Sequence, residues 1–390
     1  MTEISAAQLI QRAKDLKPLL LEQARHADQI RQLPEQTLAA LVEAQLFSIA
    51  APQRYHGLEM DLDVLLAVAK EIGRGCASTA WVMSLLGTHN WMAGLFGERA
   101  QEEIFADRGY VLAPAVFAPS GSAVAVDGGY RINGRWRFAS GSMHSNWFMV
   151  SAMVEDKQDK LVGMRVIALP LEDVTIEDTW HTSGMRGTGS HDIVIEDAFV
   201  PEHRTFPFKE LLEGRAPGTQ LSDNPMYRVP LVPYLSYTAA APALGLGLGA
   251  LDAYRDYLQE RVSMVGEKQL DKPAAQIRLA RADMELKAAE ALLDSGVKRL
   301  LDCARRGDTF TVAQRAGFRA EACYIATMVK GVVDSLCEAS GARSQFEDHP
   351  LQRFQRDINT LRGHIVFDLD NTMEMYGRVL LGFEPNQPLV

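Results

Sequence analysis

The sequence predicts a mainly helical protein with a β domain in its middle. Residues 1–108 are rich in Ala, Leu, Gln and Glu, which favour helices. Residues 109–210 change to short β-branched and aromatic segments separated by turn signals such as "DGGY" and "INGR". After a Pro- and Gly-rich connection at 211–235, long amphipathic segments follow. We therefore expect an N-terminal helical domain (1–108), a small antiparallel β-barrel or sandwich (109–210) and a C-terminal four-helix bundle (211–390).

Two segments predict buried helices. "STAWVMSLLGTHNWMAGLF" at 78–96 is apolar nearly all round, as a helix in a protein core is. It carries His89, and a single His on such a helix is more often a satisfied core residue than a catalyst. "GLGLGA" at 245–250 lacks a preceding strand and the spacing of a phosphate loop, which favours close helix packing through small residues.

Composition and charge exclude several classes of function. The net charge is -10 with a pI near 5.5, which argues against nucleic acid or an anionic membrane as a partner. We expect no signal peptide and no membrane-spanning segment, because neither pattern occurs. The four Cys form no C-x-x-C pair and indicate reduced thiols in a cytoplasmic protein. The nine His show no metal-ligand spacing, so no metal site is expected.

Two loops in the β region combine Gly with hydroxyl residues. In "GRWRFASGSMHSNW" (134–147) a strand ends in Ser140, Gly141 and Ser142, where backbone N–H groups can approach a flat ligand. "HTSGMRGTGSHDIVIEDAFVP" (181–201) is a second such run before a strand. Plain turns account for either loop taken alone.

The stretch "QRFQRDINTLRGHIVFD" (352–368) predicts a helix with an unusual polar face. Its apolar residues recur at helical spacing, and Asp357 and His364 are seven residues apart, so a helix would place them on one face. A solvated face, or a core His paired with a neighbouring carboxylate, explains the pattern as well as a catalytic His does. Asp357 itself is best interpreted as a structural partner of Arg353 or another Arg.

These motifs together resemble a known family. "SGMRGTGSHDIVIEDAFVPEHRT" and "RWRFASG" are similar to the β-domain signatures of the acyl-CoA dehydrogenase superfamily, and the helical–β–helical order resembles its fold. "PLQRFQRDINTLRGHIVFDLDNTMEMYGRVLLGFEP" resembles the oxygenase components of two-component flavin-dependent aromatic monooxygenases on that fold. An acyl-CoA dehydrogenase or oxidase is the alternative, but it needs a catalytic Glu where this region offers Asp357 and His364. An N-hydroxylase of the same fold is a further alternative, and a non-enzymatic flavin-binding role is disfavoured.

The resemblance implies a reaction and its partners. A separate reductase supplies reduced FMN or FAD, oxygen adds to form a C4a-hydroperoxide, and a phenolic or indole-type substrate is hydroxylated. The resemblance also implies a homotetramer, in which the apolar helices at 236–262 and 320–340 would form much of the core.

The resemblance further implies roles for individual residues. His364 would support formation of the hydroperoxide, Ser140 would bind the flavin N5 region, and His89 would contact the substrate hydroxyl or ring N–H. The expected flavin contacts are Trp136, Phe138, Ala139, Ser140, Gly141, Arg228, Arg278, Arg281 and His364. The expected substrate contacts are His89, Trp91 and Phe117.

Overall fold

The computed structural model describes residues 4–155, 161–262, 266, 268–387 and 389–390. The first helices are α1 (Ala6–Asp15), α2 (Lys17–Ile30), α3 (Glu35–Glu43), α4 (Leu62–Gly73), α5 (Ala77–Ala93) and α6 (Glu98–Phe105). The strands are β1 (Ala115–Val126), β2 (Gly129–Ala139), β3 (Trp147–Glu155), β4 (Leu161–Pro170), β5 (Thr175–Glu177), β6 (His191–Pro201) and β7 (Thr205–Pro207). The later helices are α7 (Phe208–Leu212), α8 (Leu231–Glu260), α9 (Pro273–Arg306), α10 (Val312–Ser340), α11 (Pro350–Leu361) and α12 (Leu369–Leu380). The helical–β–helical fold class is confirmed.

The strands form one sheet in the order β5-β6-β2-β1-β3-β4-β7. All neighbours are antiparallel except β1 and β3, which run parallel. The expectation of a purely antiparallel domain is therefore wrong. The reason is topological. Strand β3 pairs with the edge of β1 that lies opposite β2, and it runs in the same direction as β1, so this one pair is parallel.

Helix α5 is the buried helix that the sequence predicted. Every residue in it is buried except Leu85, which is partly exposed. A helix surrounded by protein on all sides needs an apolar surface all round, which explains its composition.

The small residues of "GLGLGA" lie within α8 and allow close packing, as expected. A side chain at Gly245 would clash with the Lys70 carbonyl oxygen of α4 at 2.2 Å. Among the described residues α8 is the one helix long and apolar enough to cross a membrane, but 83% of its most apolar window is buried against the rest of the chain. A single chain thus already buries most of α8, and its part in the core of a tetramer stays a prediction.

The C-terminal helices α8, α9, α10 and α11 pack together as a bundle. Helix α11 ends at Leu361, and a separate 3-10 turn spans Ile365–Phe367. The prediction that Asp357 and His364 share one helical face is therefore wrong, because His364 lies beyond the helix end. Gly363, a poor helix former, falls between the helix and the turn.

Candidate active site

The end of strand β2 turns an aromatic side chain outward. Between the pairs Trp136–Ile193 and Ala139–His191, β2 has two residues where β6 has one, which is a β-bulge. Within the bulge Phe138 adopts a left-handed backbone (φ 71°), and 64% of its surface is exposed. The Phe138 ring meets the Trp180 ring edge-to-face at 6.1 Å, and a large apolar residue held in this strained conformation at the surface makes the strand end a candidate functional position.

The next residues bring this strand end onto α5. Gly141 has φ 78°, and a Cβ there would lie 3.0 Å from the Val82 side chain, so the position needs Gly for both reasons. This close approach places Ser140 next to Trp81, whose indole Nε1–H donates to the Ser140 Oγ at 3.1 Å.

A chain of hydroxyl groups continues from Ser140 into the second Gly-rich loop. The Oγ atoms of Ser140 and Ser190 are 2.8 Å apart, and Ser190 Oγ is 2.7 Å from Thr188 Oγ1. Thr188 donates to the Met185 carbonyl oxygen at 2.9 Å. All three hydroxyl residues are buried. The two loops that the sequence singled out are therefore joined side chain to side chain.

Asp357 connects this loop to the C-terminal bundle. Its carboxylate accepts the Met185 backbone N–H at 2.6 Å, and burial raises its pKa to about 6 despite that hydrogen bond. Arg353 lowers the pKa through its charge but makes no hydrogen bond to Asp357. The hydrogen-bond partner of the carboxylate is thus a backbone amide of the β domain, while Arg353, the partner that the sequence suggested, acts on it through its charge.

His364 faces the same indole from the C-terminal side. Its ring centroid lies 5.2 Å from that of Trp81 in an edge-to-face arrangement. Its Nδ1 accepts the Val366 N–H at 3.3 Å, so Nε2 carries the proton and is a donor. The residue as a whole is exposed, while the protein packed around the ring lowers its pKa to about 4 by desolvation. His364 is therefore neutral at pH 7.

His89 lies on the same face of α5 as Trp81 and Leu85, because the three are spaced at i, i+4 and i+8. Eight residues of helix place it about 12 Å from Trp81 along the axis. His89 is only 4% exposed, and its Nδ1 is 2.7 Å from the Ala113 carbonyl oxygen. A carbonyl can only accept, so Nδ1 carries the proton and Nε2 is left as an acceptor. Burial lowers the His89 pKa to about 4.

Similarity to known proteins extends over the whole chain. Family models of the N-terminal, middle and C-terminal domains of acyl-CoA dehydrogenase match residues 13–108, 116–198 and 237–369. The flavin-dependent monooxygenase, oxygenase subunit HsaA, of Rhodococcus jostii (strain RHA1) is 34% identical over 370 residues, covering 94% of this chain and 97% of that protein. The oxygenase component of the FADH(2)-dependent resorcinol hydroxylase of Rhizobium sp. (strain MTP-10005) is 31% identical over 388 residues, covering 97% and 95%. The solved structure of XiaF from Streptomyces sp. in complex with FADH2 and glycerol superposes with a TM-score of 0.92 at 30% identity, covering 99% of this chain and 100% of that one.

The chain is a flavin-dependent monooxygenase oxygenase component of the acyl-CoA dehydrogenase superfamily. The resemblance found in the sequence is confirmed, and the monooxygenase interpretation is favoured over the dehydrogenase alternative.

Three of the expected contacts have side chains that pack in the core of this oxygenase component. Trp136 is fully buried in the β-domain core and donates its indole N–H to the Ser151 carbonyl at 2.8 Å. Ala139 is buried in the same core, so at most its backbone faces a ligand. Trp91 stacks on Tyr234 at 3.9 Å and is only 2% exposed, which makes it a packing residue. Strand alternation and helix rotation turn these side chains into the core.

The remaining predicted contacts lie on more open surface. Phe117 is half-buried with its ring 5.6 Å from Phe208, and it stays a predicted substrate contact. Arg228 is exposed and makes no ion pair with any residue that the structure describes. Arg278 is half-buried near Tyr254. Arg281 forms an exposed ion pair with Glu285 at 3.2 Å, which is the surface role that its helical position also allows.

Four residues of this candidate site escaped the sequence reasoning: Trp81, Leu85, Thr188 and Ser190. Helical spacing backward from His89 would have found Trp81 and Leu85 on the same face. The run "GTGSH" was noticed, but nothing local in it shows that Ser190 meets Ser140, 50 residues earlier.

Proposed function

We propose that this enzyme hydroxylates a small phenolic substrate, using reduced flavin from a separate flavin reductase together with O2. The observation that carries the proposal is the single face of α5. It places Trp81, which contacts both Ser140 and His364, two helical turns from the acceptor atom of His89. The two helix positions are about 12 Å apart along the axis, so the proposed flavin edge and substrate ring would lie side by side along this face.

His89 would receive the proton of the substrate hydroxyl. Its Nε2 is an acceptor because Nδ1–H is held by the Ala113 carbonyl. As an aromatic ring donates electrons to an incoming oxygen atom, its hydroxyl becomes more acidic, so an acceptor at that hydroxyl lowers the barrier. An indole N–H would be recognised by the same atom.

Ser140 and His364 would hold the reactive edge of the flavin. Reduced flavin, when bound, reacts with O2 and supplies the oxygen atom that is transferred. The donor Nε2–H of His364 and the Oγ of Ser140 flank one indole, and Phe138 presents an exposed ring beside them. One donor, one hydroxyl and one exposed aromatic face match the polar edge and flat ring system of a flavin, FMN or FAD. The buried face of α5 and Leu85 would keep water from this edge.

An acyl-CoA dehydrogenase activity is not supported by the carboxylate at this site. That reaction needs a carboxylate free to remove a proton. Asp357 is only 2% exposed, and it is bound to the Met185 amide.

We also propose a homotetramer in the cytoplasm. Ile277 and Met284 are 66% and 62% exposed and lie two turns apart on one face of α9, and Leu380, Leu381 and Phe383 are exposed at the C-terminal end. Exposed apolar patches of this kind are typical of protein interfaces. Light scattering of the wild type beside Met284→Arg tests this, and an unchanged monomeric mass for the wild type would contradict it.

Anaerobic titration tests the flavin proposal. FMN and FAD are each titrated in the reduced and the oxidised form, and we expect the reduced form to bind more tightly because a reductase must exchange it. Phenols and indoles are then screened for oxygen-dependent product formation with reduced flavin supplied. A tightly bound, stoichiometric oxidised FAD, with no hydroxylated product, would contradict the proposal.

A further inference from the structure

We propose that Ser190 and Thr188 fix the direction of the Ser140 hydroxyl, so that Ser140 meets a bound flavin only as a hydrogen-bond acceptor and thereby selects reduced over oxidised flavin. This inference rests on the proposed function, because it assumes that the N5 edge of the flavin meets Ser140. Ser190 and Thr188 are positioning residues, since they act through Ser140.

The direction of the hydroxyl chain follows from its end. A carbonyl oxygen has no proton, so the 2.9 Å contact between Thr188 Oγ1 and the Met185 oxygen is attractive only with the Thr188 proton between them. Thr188 can then only accept from Ser190, across 2.7 Å. Ser190 has thereby used its own proton and must accept from Ser140, across 2.8 Å.

The hydrogen bonds that Ser140 can still make decide how it meets a bound flavin. Its proton is committed to Ser190, and one lone pair accepts the Trp81 indole N–H at 3.1 Å. A hydroxyl has one proton and two lone pairs, so one acceptor position is left. Trp81, which donates to Ser140, also contacts the exposed His364.

The two redox states of flavin differ at the atom that would meet this position. N5 carries a proton in the reduced flavin, whereas in the oxidised flavin it presents a lone pair. An acceptor-only Ser140 therefore binds reduced N5 and opposes a lone pair of oxidised N5. A freely rotating hydroxyl would serve both states equally, because it could donate or accept.

Two substitutions release the Ser140 proton without removing Ser140. Ser190→Ala removes the group that accepts it. Thr188→Val removes the acceptor of Ser190, which lets Ser190 donate toward Ser140 instead. Ser142→Ala is the matched control: Ser142 is also buried and joins the same two loops through the Gly189 carbonyl at 3.1 Å, but it lies outside the hydroxyl chain.

The experiment measures the dissociation constants of oxidised and reduced flavin for the wild type and the three variants, with thermal melts beside them. One hydrogen bond corresponds to roughly a twofold to tenfold change in an equilibrium constant. We expect Ser190→Ala and Thr188→Val to bind oxidised flavin that much more tightly, and their preference for reduced flavin to fall by the same factor. A tenfold fall lowers the two-electron midpoint potential of the bound flavin by about 30 mV. Ser142→Ala should keep the wild-type ratio.

An unchanged ratio in both chain variants would overturn the inference, and so would an equal shift in Ser142→Ala, because the cause would then be loop packing. If Ser190→Ala fails to fold, the ratio in Thr188→Val decides. A wild type that binds neither flavin would instead refute the proposed function.

Discussion

Replacing His89 with Asn separates the two hydrogen bonds that this imidazole can make. The amide nitrogen of Asn occupies nearly the position of Nδ1, so it can still donate to the Ala113 carbonyl, which accepts at 2.7 Å in the wild type. The acceptor at Nε2, which faces the proposed substrate, has no counterpart in Asn. The variant should therefore fold normally and lose only the proton acceptor.

The expected loss of rate follows from the proposed role of His89 as a general base. A positioned general base contributes about 10²–10⁴-fold, so product formation at pH 7 should slow by that factor. A phenol with a pKa of about 10 is ionised to about one part in 10³ at pH 7 and about one part in ten at pH 9. A phenolate needs no acceptor, so the deficit of the variant should shrink about tenfold for each pH unit between 7 and 9. The wild type should change little over that range, because the His89 pKa of about 4 keeps the imidazole neutral throughout.

Single-turnover measurements test this pattern. The protein is mixed anaerobically with reduced flavin and a phenol, oxygen is added, and the rate at which hydroxylated product forms is measured from pH 6 to pH 9. His144→Gln is the control, because burial also lowers the His144 pKa to about 4, but that ring accepts the Leu33 N–H and has a structural role. The control should retain wild-type rates at every pH.

Two results would refute the reasoning. A deficit of the same size at pH 7 and pH 9 would mean that His89 positions the substrate instead of accepting its proton. A melting temperature that falls with the rate would mean that the Ala113 hydrogen bond, and not the free nitrogen, is the function of His89.

Three further variants give independent checks. His364→Asn keeps an acceptor for the Val366 N–H but loses the donor Nε2–H. Stopped-flow mixing with oxygen should therefore show slower flavin oxidation or less product, at an unchanged melting temperature. Normal oxygen kinetics would mean that His364 has a structural role. Ser140→Ala leaves the buried Trp81 indole N–H unpaired, which should lower the free energy of unfolding by about 1–3 kcal/mol. The variant should also release more hydrogen peroxide relative to hydroxylated product. Product formation that stays fully coupled to oxygen consumption would contradict the role of Ser140 at the flavin. The folded pKa of Asp357, about 6, lies above the unfolded value of about 3.9, so its ionisation costs stability as pH rises through that window. Between pH 5 and pH 8 the wild type should therefore lose about 1.4 kcal/mol that Asp357→Asn does not lose, as read from denaturant unfolding at both pH values.

The sequence by itself determined the features that depend on local burial. The order of helical, β and helical segments, the all-round burial of α5 and the close packing at Gly245 were each predictable, because residue periodicity and side-chain size reflect the immediate surroundings of a segment. The motifs also pointed to His89, Ser140 and His364, and their family was confirmed.

Only the tertiary structure decided which groups meet. Trp81 and Ser140 are 59 residues apart, Ser140 and Ser190 are 50 apart, and Met185 and Asp357 are 172 apart. No local pattern contains such pairings, because they depend on how the loops after β2 and before β6 dock on α5 and α11. The same holds for Asp357, whose partner proved to be a backbone amide that has no side-chain signature. The direction of the Ser140 hydroxyl is set in this way, by a carbonyl oxygen three contacts away.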